Sequence, residues 1–384
     1  MIKIGFGTTF LERGLSQEHM DGIGTYAKNL WEQFESIDKQ AVSFGQRNTT
    51  AQAAELLGEI EYLPLSYPLQ STLTLLSNSP FLGSEKLGKE IDLFFAPDHH
   101  IPKFDHTPVI ATIMDAYPLI HPELVSQNLR TFKNFAFRRA SKWADHIITI
   151  SDYSKEDIIQ YFEIPEEKIS VIPLGVNKTF FQRISEDERE AVRQKFSLKK
   201  EFFIFVGTIQ PRKNLSRLIE AYLSLPSALR QKHPLVIIGH YGWGEDNLKQ
   251  KLNALGEDDT IRHLKHVSDQ ELYALLQSAL AMVYPSLYEG FGLPILEGFA
   301  SRIPVITSST TSIPEVAGDA VCYVDPLNVN DIADKMKLLA EDKLLQKEMV
   351  VKGLERLENY SWGKCAEVHL RLFKKITNAS LSSS

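Results

Sequence analysis

Glu289 and Glu297 bracket the run Gly290-Phe291-Gly292-Leu293-Pro294-Ile295-Leu296, which has the residue types of a phosphate-binding turn leading into a helix. Pro294 suits a helix first turn. The glycine-flanked turn leaves the N–H groups of Phe291, Gly292 and Leu293 to face phosphate oxygens. Glu297, near the helix start, has the chemistry to accept ribose hydroxyls, as the acidic residue of dinucleotide folds does. Glu289, on the loop, can meet the hydroxyls of a transferred sugar. Helix capping is the plainer reading of Glu297 alone, but two carboxylates flanking one glycine-rich turn are harder to assign that way.

A second loop, Val206-Gly207-Thr208-Ile209-Gln210-Pro211-Arg212-Lys213-Asn214, follows an apolar run and precedes the helical pattern Leu218, Ile219, Tyr222. Arg212 and Lys213 would neutralise a diphosphate there, arginine as a planar fork and lysine as a point charge; a solvated basic turn is the alternative. Asp21-Gly22-Ile23-Gly24-Thr25-Tyr26 precedes the helical spacing Ala27, Leu30, Trp31, Phe34. Its glycines permit close backbone approach to an anion at a helix N-terminus, although such pairs also serve as plain turn and cap chemistry. Gly5-Phe6-Gly7 lacks the third glycine of a dinucleotide fingerprint. Asp98-His99-His100 with Asp105 and His106 invites a metal reading, but no ligand spacing supports it, so no metal site is assigned. Arg130 to Lys142 carries five cations and no acid. On a helical wheel Phe132, Phe135, Ala136, Ala140 and Trp143 share a face, while Phe137 falls between Arg130 and Lys133. A basic face with an exposed Phe137 reads as an interfacial membrane helix, or else as an ordinary surface helix with Phe137 partly buried.

The elements that must position these loops are short apolar runs alternating with helical stretches: Ile2 to Phe6, Leu93 to Ala96, Val109 to Ile113, His146 to Ile150, Phe202 to Val206, Leu235 to Ile238, Ala281 to Tyr284 and Val305 to Thr307. That alternation predicts an α/β fold with parallel sheets, in which ligands bind beyond the carboxyl ends of strands. The series divides at Val171 to Val176, before a charged helix-prone stretch from Glu186 to Lys200. Residues 331 to 358 form a charged amphipathic region, and Cys365, Val368 and Leu372 share one face of a final helix opened by Ser361-Trp362.

At about 150 residues per domain, 384 residues favour two domains. Hydrophobic residues at 43% and charged residues at 24% exclude general disorder. A net charge of -7 withholds the overall positive field of non-specific nucleic-acid binders. Two distant cysteines, no leader-like N-terminus and no apolar stretch near membrane length make the cytoplasm the expected address.

The Glu289 to Glu297 motif with Gly-Phe-Gly-Leu-Pro inside it resembles the signature of the retaining glycosyltransferases of family 4, which have the GT-B fold. Gly22-Ile23-Gly24 with Tyr26, Val206-Gly207 with Arg212-Lys213-Asn214, and Ser361-Trp362 agree, so the resemblance spans nearly the whole chain. It implies two facing Rossmann-like, doubly wound domains with an inter-domain cleft: residues 1–175, rejoined by the C-terminal helix of about 360–384, and a nucleotide-sugar-binding domain, 176–359. It further implies that Glu297 holds the ribose, Glu289 the donor sugar, and Arg212 and Lys213 the diphosphate as the catalytic cations. Gly22, Gly24, Gly207, Thr208 and the backbone near Val267 would approach the donor, with Phe291, Gly292 and Leu293 at its phosphates.

Two departures stand out. Thr208 replaces an arginine of many relatives, which leaves more of the charge to Arg212. Met114 replaces a histidine before Asp115, so no histidine role transfers to it. Asp115 and His99 are the expected acceptor-side residues, with loop capping and simple loop polarity as their alternatives. The expected activity is metal-independent, retaining transfer of a hexose, with mannose from GDP-mannose favoured, to a saccharide or lipid-linked saccharide. The sugar nucleotide is a substrate and no cofactor is expected. Contact with an anionic membrane through Arg130 to Lys142 fits the lipid-linked case. A GT-B sugar-nucleotide epimerase and a non-catalytic nucleotide-sugar-binding module are the rivals.

Overall fold

The computed structural model describes residues 2–16, 20, 22–45, 50–122, 130–199, 201–242, 248, 252 and 260–383. Asp21 and the side chain of Arg130 lie outside the described residues. The chain divides into two compact units, one of Met1–Pro122, Gln127–Gly175 and Trp362–Ser384, the other centred on Val176–Ser361.

The first unit carries seven parallel strands, β1 (Lys3–Gly7), β2 (Asp38–Phe44), β3 (Ile60–Leu63), β4 (Leu93–Ala96), β5 (Val109–Thr112), β6 (His146–Thr149) and β7 (Ile169–Val171), in the order β3-β2-β1-β4-β5-β6-β7. The second carries six, β8 (Phe203–Val206), β9 (Leu235–Ile238), β10 (Ile261–Leu264), β11 (Ala281–Tyr284), β12 (Val305–Ser308) and β13 (Cys322–Val324), also parallel, in the order β10-β9-β8-β11-β12-β13. Both are doubly wound sheets whose strand order reverses beside the first strand. In the first, β1 and β4 meet at the switch; in the second, β8 and β11 do.

The central strands are those the apolar runs predict. Leu93 to Ala96, Leu235 to Ile238 and Ala281 to Tyr284 are buried throughout because helices cover both faces of a parallel sheet. The structure adds β2, β3, β7, β10 and β13, and four of these are the outer strands of the two sheets. An outer strand meets solvent along one edge, so its sequence mixes polarity, as Ile-Arg-His-Leu does in β10, and no apolar run betrays it. The edge strand β7 ends at Val171, the first residue of the segment Val171 to Val176.

Helix starts follow local chemistry. Ser185 and Ser268 each form a reciprocal capping box, with Glu188 and Glu271, at the heads of Glu186–Lys195 and Asp269–Ser278. Residues 331 to 358 fall in two helices, Val329–Glu341 and Lys343–Leu357, divided at Asp342, whose side chain caps the second. The last helix, Trp362–Ser383, belongs to the first unit: Phe373 packs 5.7 Å from Phe34 and 5.1 Å from Phe95, ring centre to ring centre.

Candidate functional site

The second unit's switch point lies where β8 and β11 end side by side, and both chemistry-bearing loops start there. After β8 a single turn of helix, Pro211–Lys213, closes on Asn214 in the left-handed conformation (φ 59°). Asn214 Nδ2 donates to the carbonyls of Pro285 and Pro326, and Leu287 N–H donates to the carbonyl of Arg212 at 2.7 Å. The two loops are thereby laced together, and Arg212 and Lys213 point at the loop after β11.

Their target is Glu289, 5% exposed. Its Oε1 accepts from Lys213 Nζ at 2.7 Å, Tyr284 Oη at 2.8 Å and Ser286 Oγ at 2.5 Å; its Oε2 accepts from Arg212 Nη1 at 2.8 Å. Burial alone would raise this carboxyl, but Arg212 and Lys213, with the hydrogen bonds, outweigh it and bring it down to about 2. The group is therefore an anion holding two cations in place. Sequence reasoning expected Glu289 to meet sugar hydroxyls and the cations to meet diphosphate; the structure has the three engage one another.

Beside this cluster, Gly292 adopts φ +104° and heads the helix Leu293–Ala300. Glycine is required there, and a Cβ would also press to 3.1 Å from Ile295. Within the protein no acceptor engages the N–H groups of Phe291, Gly292 and Leu293 among the described residues. They form an anion-ready turn. Glu297 is the fifth residue of that helix, past its first turn, which removes the capping alternative. It is half-buried, and burial pushes its carboxyl up to about 7 with Lys213 pulling the other way.

Gly207, φ +148°, ends β8 with its N–H on the Ile238 carbonyl, and Thr208 is exposed. Val267 lies half-buried in the loop after β10, next to the Ser268 cap.

In the first unit, Gly22 and Gly24 sit inside the first turn of Gly22–Gln33 rather than before it, and a Cβ on Gly22 would meet nothing within 4 Å. His99 is exposed beyond β4, its ring edge-on to Phe10 at 5.6 Å and Phe137 at 6.0 Å. Asp98 is spent on His100, accepting from its backbone N–H and its ring. Among the described residues no group of three or more His, Cys, Asp or Glu could hold a metal. Asp115 accepts from the Tyr117 N–H at 3.1 Å, as the loop-capping alternative expected.

The helix Arg130–Ala140 corrects the picture of its aromatic face. Phe137 packs against the first unit's core and 4.9 Å from Phe162, while Phe132 and Phe135 are the exposed rings, at 49% and 56%. The partly buried reading of Phe137 holds because the core-facing stripe runs through 137. Arg138 and Lys142 pair with Glu163, whereas Lys133 and Arg139 are exposed. No described helix is long and apolar enough to cross a membrane.

Three residues escaped sequence reasoning. Tyr284 and Ser286 bind Glu289 but carry no motif of their own. Gly239, φ +149°, could have been noticed as the glycine ending a buried strand; a Cβ on it would lie 2.0 Å from the Gly207 carbonyl, so only glycine lets the β8 and β9 loops pass.

Two families match the chain: "Glycosyl transferases group 1" over residues 186–356 and "Glycosyltransferase Family 4" over 20–180. O-antigen chain mannosyltransferase B of Escherichia coli is 32% identical over 284 residues, 73% of this chain and 74% of that one. Serotype-specific mannosyltransferase WbdA of Escherichia coli is 31% identical over 277 residues, 69% of this chain but 33% of that protein, so the chain spans about a third of this relative. Among solved structures, Anabaena Alr3699/HepE in complex with UDP and glucose superposes with a TM-score of 0.75 at 16% identity, over 97% of this chain and 100% of that one. That likeness shows a shared GT-B fold of two Rossmann-like domains.

Proposed function

This chain belongs to the group 1 glycosyltransferases of family 4, and from that premise we propose that it moves mannose from GDP-mannose to a saccharide or lipid-linked saccharide, keeping the donor's anomeric configuration. One observation carries the reading: Arg212 and Lys213 are gathered at the β8–β11 switch point beside a glycine turn with unused N–H groups. That is a site for the two negative charges of a nucleotide diphosphate. The choice of mannose is supported by the names of the relatives above.

In this reading the bond from the anomeric carbon to the diphosphate oxygen breaks as the acceptor oxygen bonds on the same face. The acceptor's proton passes to the departing phosphate oxygen. Arg212 and Lys213 meet the charge growing on that oxygen, where preorganised charge lowers a barrier most. Glu289 fixes the sugar and Glu297 the ribose, with Gly207, Thr208 and Val267 along the nucleotide. His99 and Asp115 serve the acceptor. An endocellular site of action at an anionic membrane surface belongs to the same proposal.

A mass-spectrometric and thermal-shift screen of GDP-mannose, UDP-glucose, UDP-galactose and UDP-N-acetylglucosamine selects the donor. Transfer to mannose oligosaccharides in EDTA, followed by NMR of the product, then reads the linkage. Retention of configuration with activity kept in EDTA is expected. An inverted linkage, or activity restored only by a metal, overturns the mechanism. A new sugar released from donor alone identifies an epimerase, and donor binding without turnover a binding module.

A further inference from the structure

The last residue of β11 lies beneath the site, and the proposed reaction gives it no task. Tyr284 is 0% exposed. Its ring stacks on Phe205 of β8, with centroids 6.1 Å and planes 28° apart, and its carbonyl accepts from Thr307 Oγ1 at 2.8 Å. Ring and backbone are thus both fixed by the sheet, and the hydroxyl alone faces polar groups. It accepts from Lys213 Nζ and donates to Glu289 Oε1 at 2.8 Å, while Nζ also lies 4.8 Å from the ring centroid.

Lysine ends in a point charge on a flexible four-carbon stem, so a single contact leaves its ammonium free to pivot. Glu289 gives it one anchor, and the phenol gives a second on a rigid support. The two anchors differ in charge. The carboxylate orients the ammonium and also neutralises it, whereas the phenol orients it and leaves its charge available. Burial, and then the Glu289 charge, raise the phenol well above its ordinary value, so its O–H keeps its proton and its donation to Glu289. Ser286 Oγ and Arg212 Nη1 hold the carboxylate's own plane.

We propose that Tyr284 is a positioning residue: its hydroxyl fixes the Lys213 ammonium where charge develops on the leaving diphosphate, acting through Lys213 without touching the donor. This rests on the reading of Arg212 and Lys213 as the leaving-group cations.

Tyr284→Phe keeps the ring, the stack on Phe205 and the side-chain volume, and removes only the hydroxyl. Losing a hydrogen bond to a charged group of this kind lowers kcat by about tenfold to a hundredfold, with the donor KM within about threefold because the ground state gains less from it. In a Lys213→Ala background the same change should lower kcat several-fold less than it does in wild type, since only the hydroxyl's bond to Glu289 is then left to lose. Near-wild-type kcat for Tyr284→Phe, or full additivity in the double variant, overturns the proposal. A crystal structure of donor-free Tyr284→Phe gives an answer independent of turnover: Lys213 Nζ leaves its place beside Glu289, and an unmoved Nζ overturns the proposal. Wild-type protein inactive with every nucleotide sugar would sink the leaving-group reading separately, with the displacement of Lys213 still there to be read.

Discussion

Glu289 and Glu297 are of one residue type, eight positions apart, yet their carboxyls move in opposite directions. Two cations hold Glu289 ionised down to about 2, while burial outweighs the pull of Lys213 and pushes Glu297 up to about 7. A carboxyl raised on folding costs stability only when ionised. Below its ordinary value near 4.5 the cost is absent; it grows as pH rises and is complete above about 7. Donor-free Glu297→Gln should therefore melt higher than wild type at pH 8 and about equally at pH 4.5. In the proposed reading ribose hydroxyls favour the ionised form, so affinity for GDP-mannose, whose diphosphate diester does not titrate in this range, should rise through pH 7 in wild type and lose that dependence in Glu297→Gln. Melting curves and titration calorimetry across pH check both, and a melting difference that does not grow with pH would remove the burial argument.

The element that changes most between sequence and structure is the helix Arg130–Ala140. Its charge pattern was legible, but a wheel drawn without neighbours could not say which aromatic the core would claim. With Phe137 turned inward, the proposed contact with an anionic bilayer would fall to Phe132, Phe135 and the exposed Lys133 and Arg139. Each cation near such a surface contributes about 1 kcal/mol. Phe132→Ala with Lys133→Glu should release the protein from phosphatidylglycerol vesicles in a co-sedimentation assay, while Phe137→Ala should lower stability instead. Equal sedimentation of the surface variant and wild type counts against membrane contact.

Across the molecule, the first unit is completed by the end of the chain. His369 of the last helix is 0% exposed and pushed down to about 4 by burial. Its Nδ1 lies 2.8 Å from the Cys365 carbonyl, which fixes the proton on Nδ1 and leaves Nε2 to accept from Tyr26 Oη at 2.7 Å. Tyr26 in turn accepts from Thr112 Oγ1 at 2.9 Å, so helix, helix and strand share one buried chain of polar groups. His369→Ala leaves a cavity among Phe34, Phe95 and Phe373 and strips Tyr26 of an acceptor, at a cost of about 2–5 kcal/mol. Urea denaturation should show that loss; a change below about 0.5 kcal/mol would mean the network adds nothing.

Sequence alone determined the central strands, because burial on both faces demands unbroken apolar runs, and the glycine turn, because a positive φ at Gly292 admits few other residues. It also determined which loops carry charge, since Arg212, Lys213, Glu289 and Glu297 stand beside strand ends. Tertiary structure decided the outer strands, whose mixed polarity reflects neighbours distant in the chain, and it decided which charges meet at the site. Lys213 and Glu289 lie 76 residues apart and meet only because β8 and β11 are adjacent in the sheet. Strand order is a property of the whole packed sheet, so neither the pairing of the carboxylate nor the place of Tyr284 beneath it is written in any local pattern.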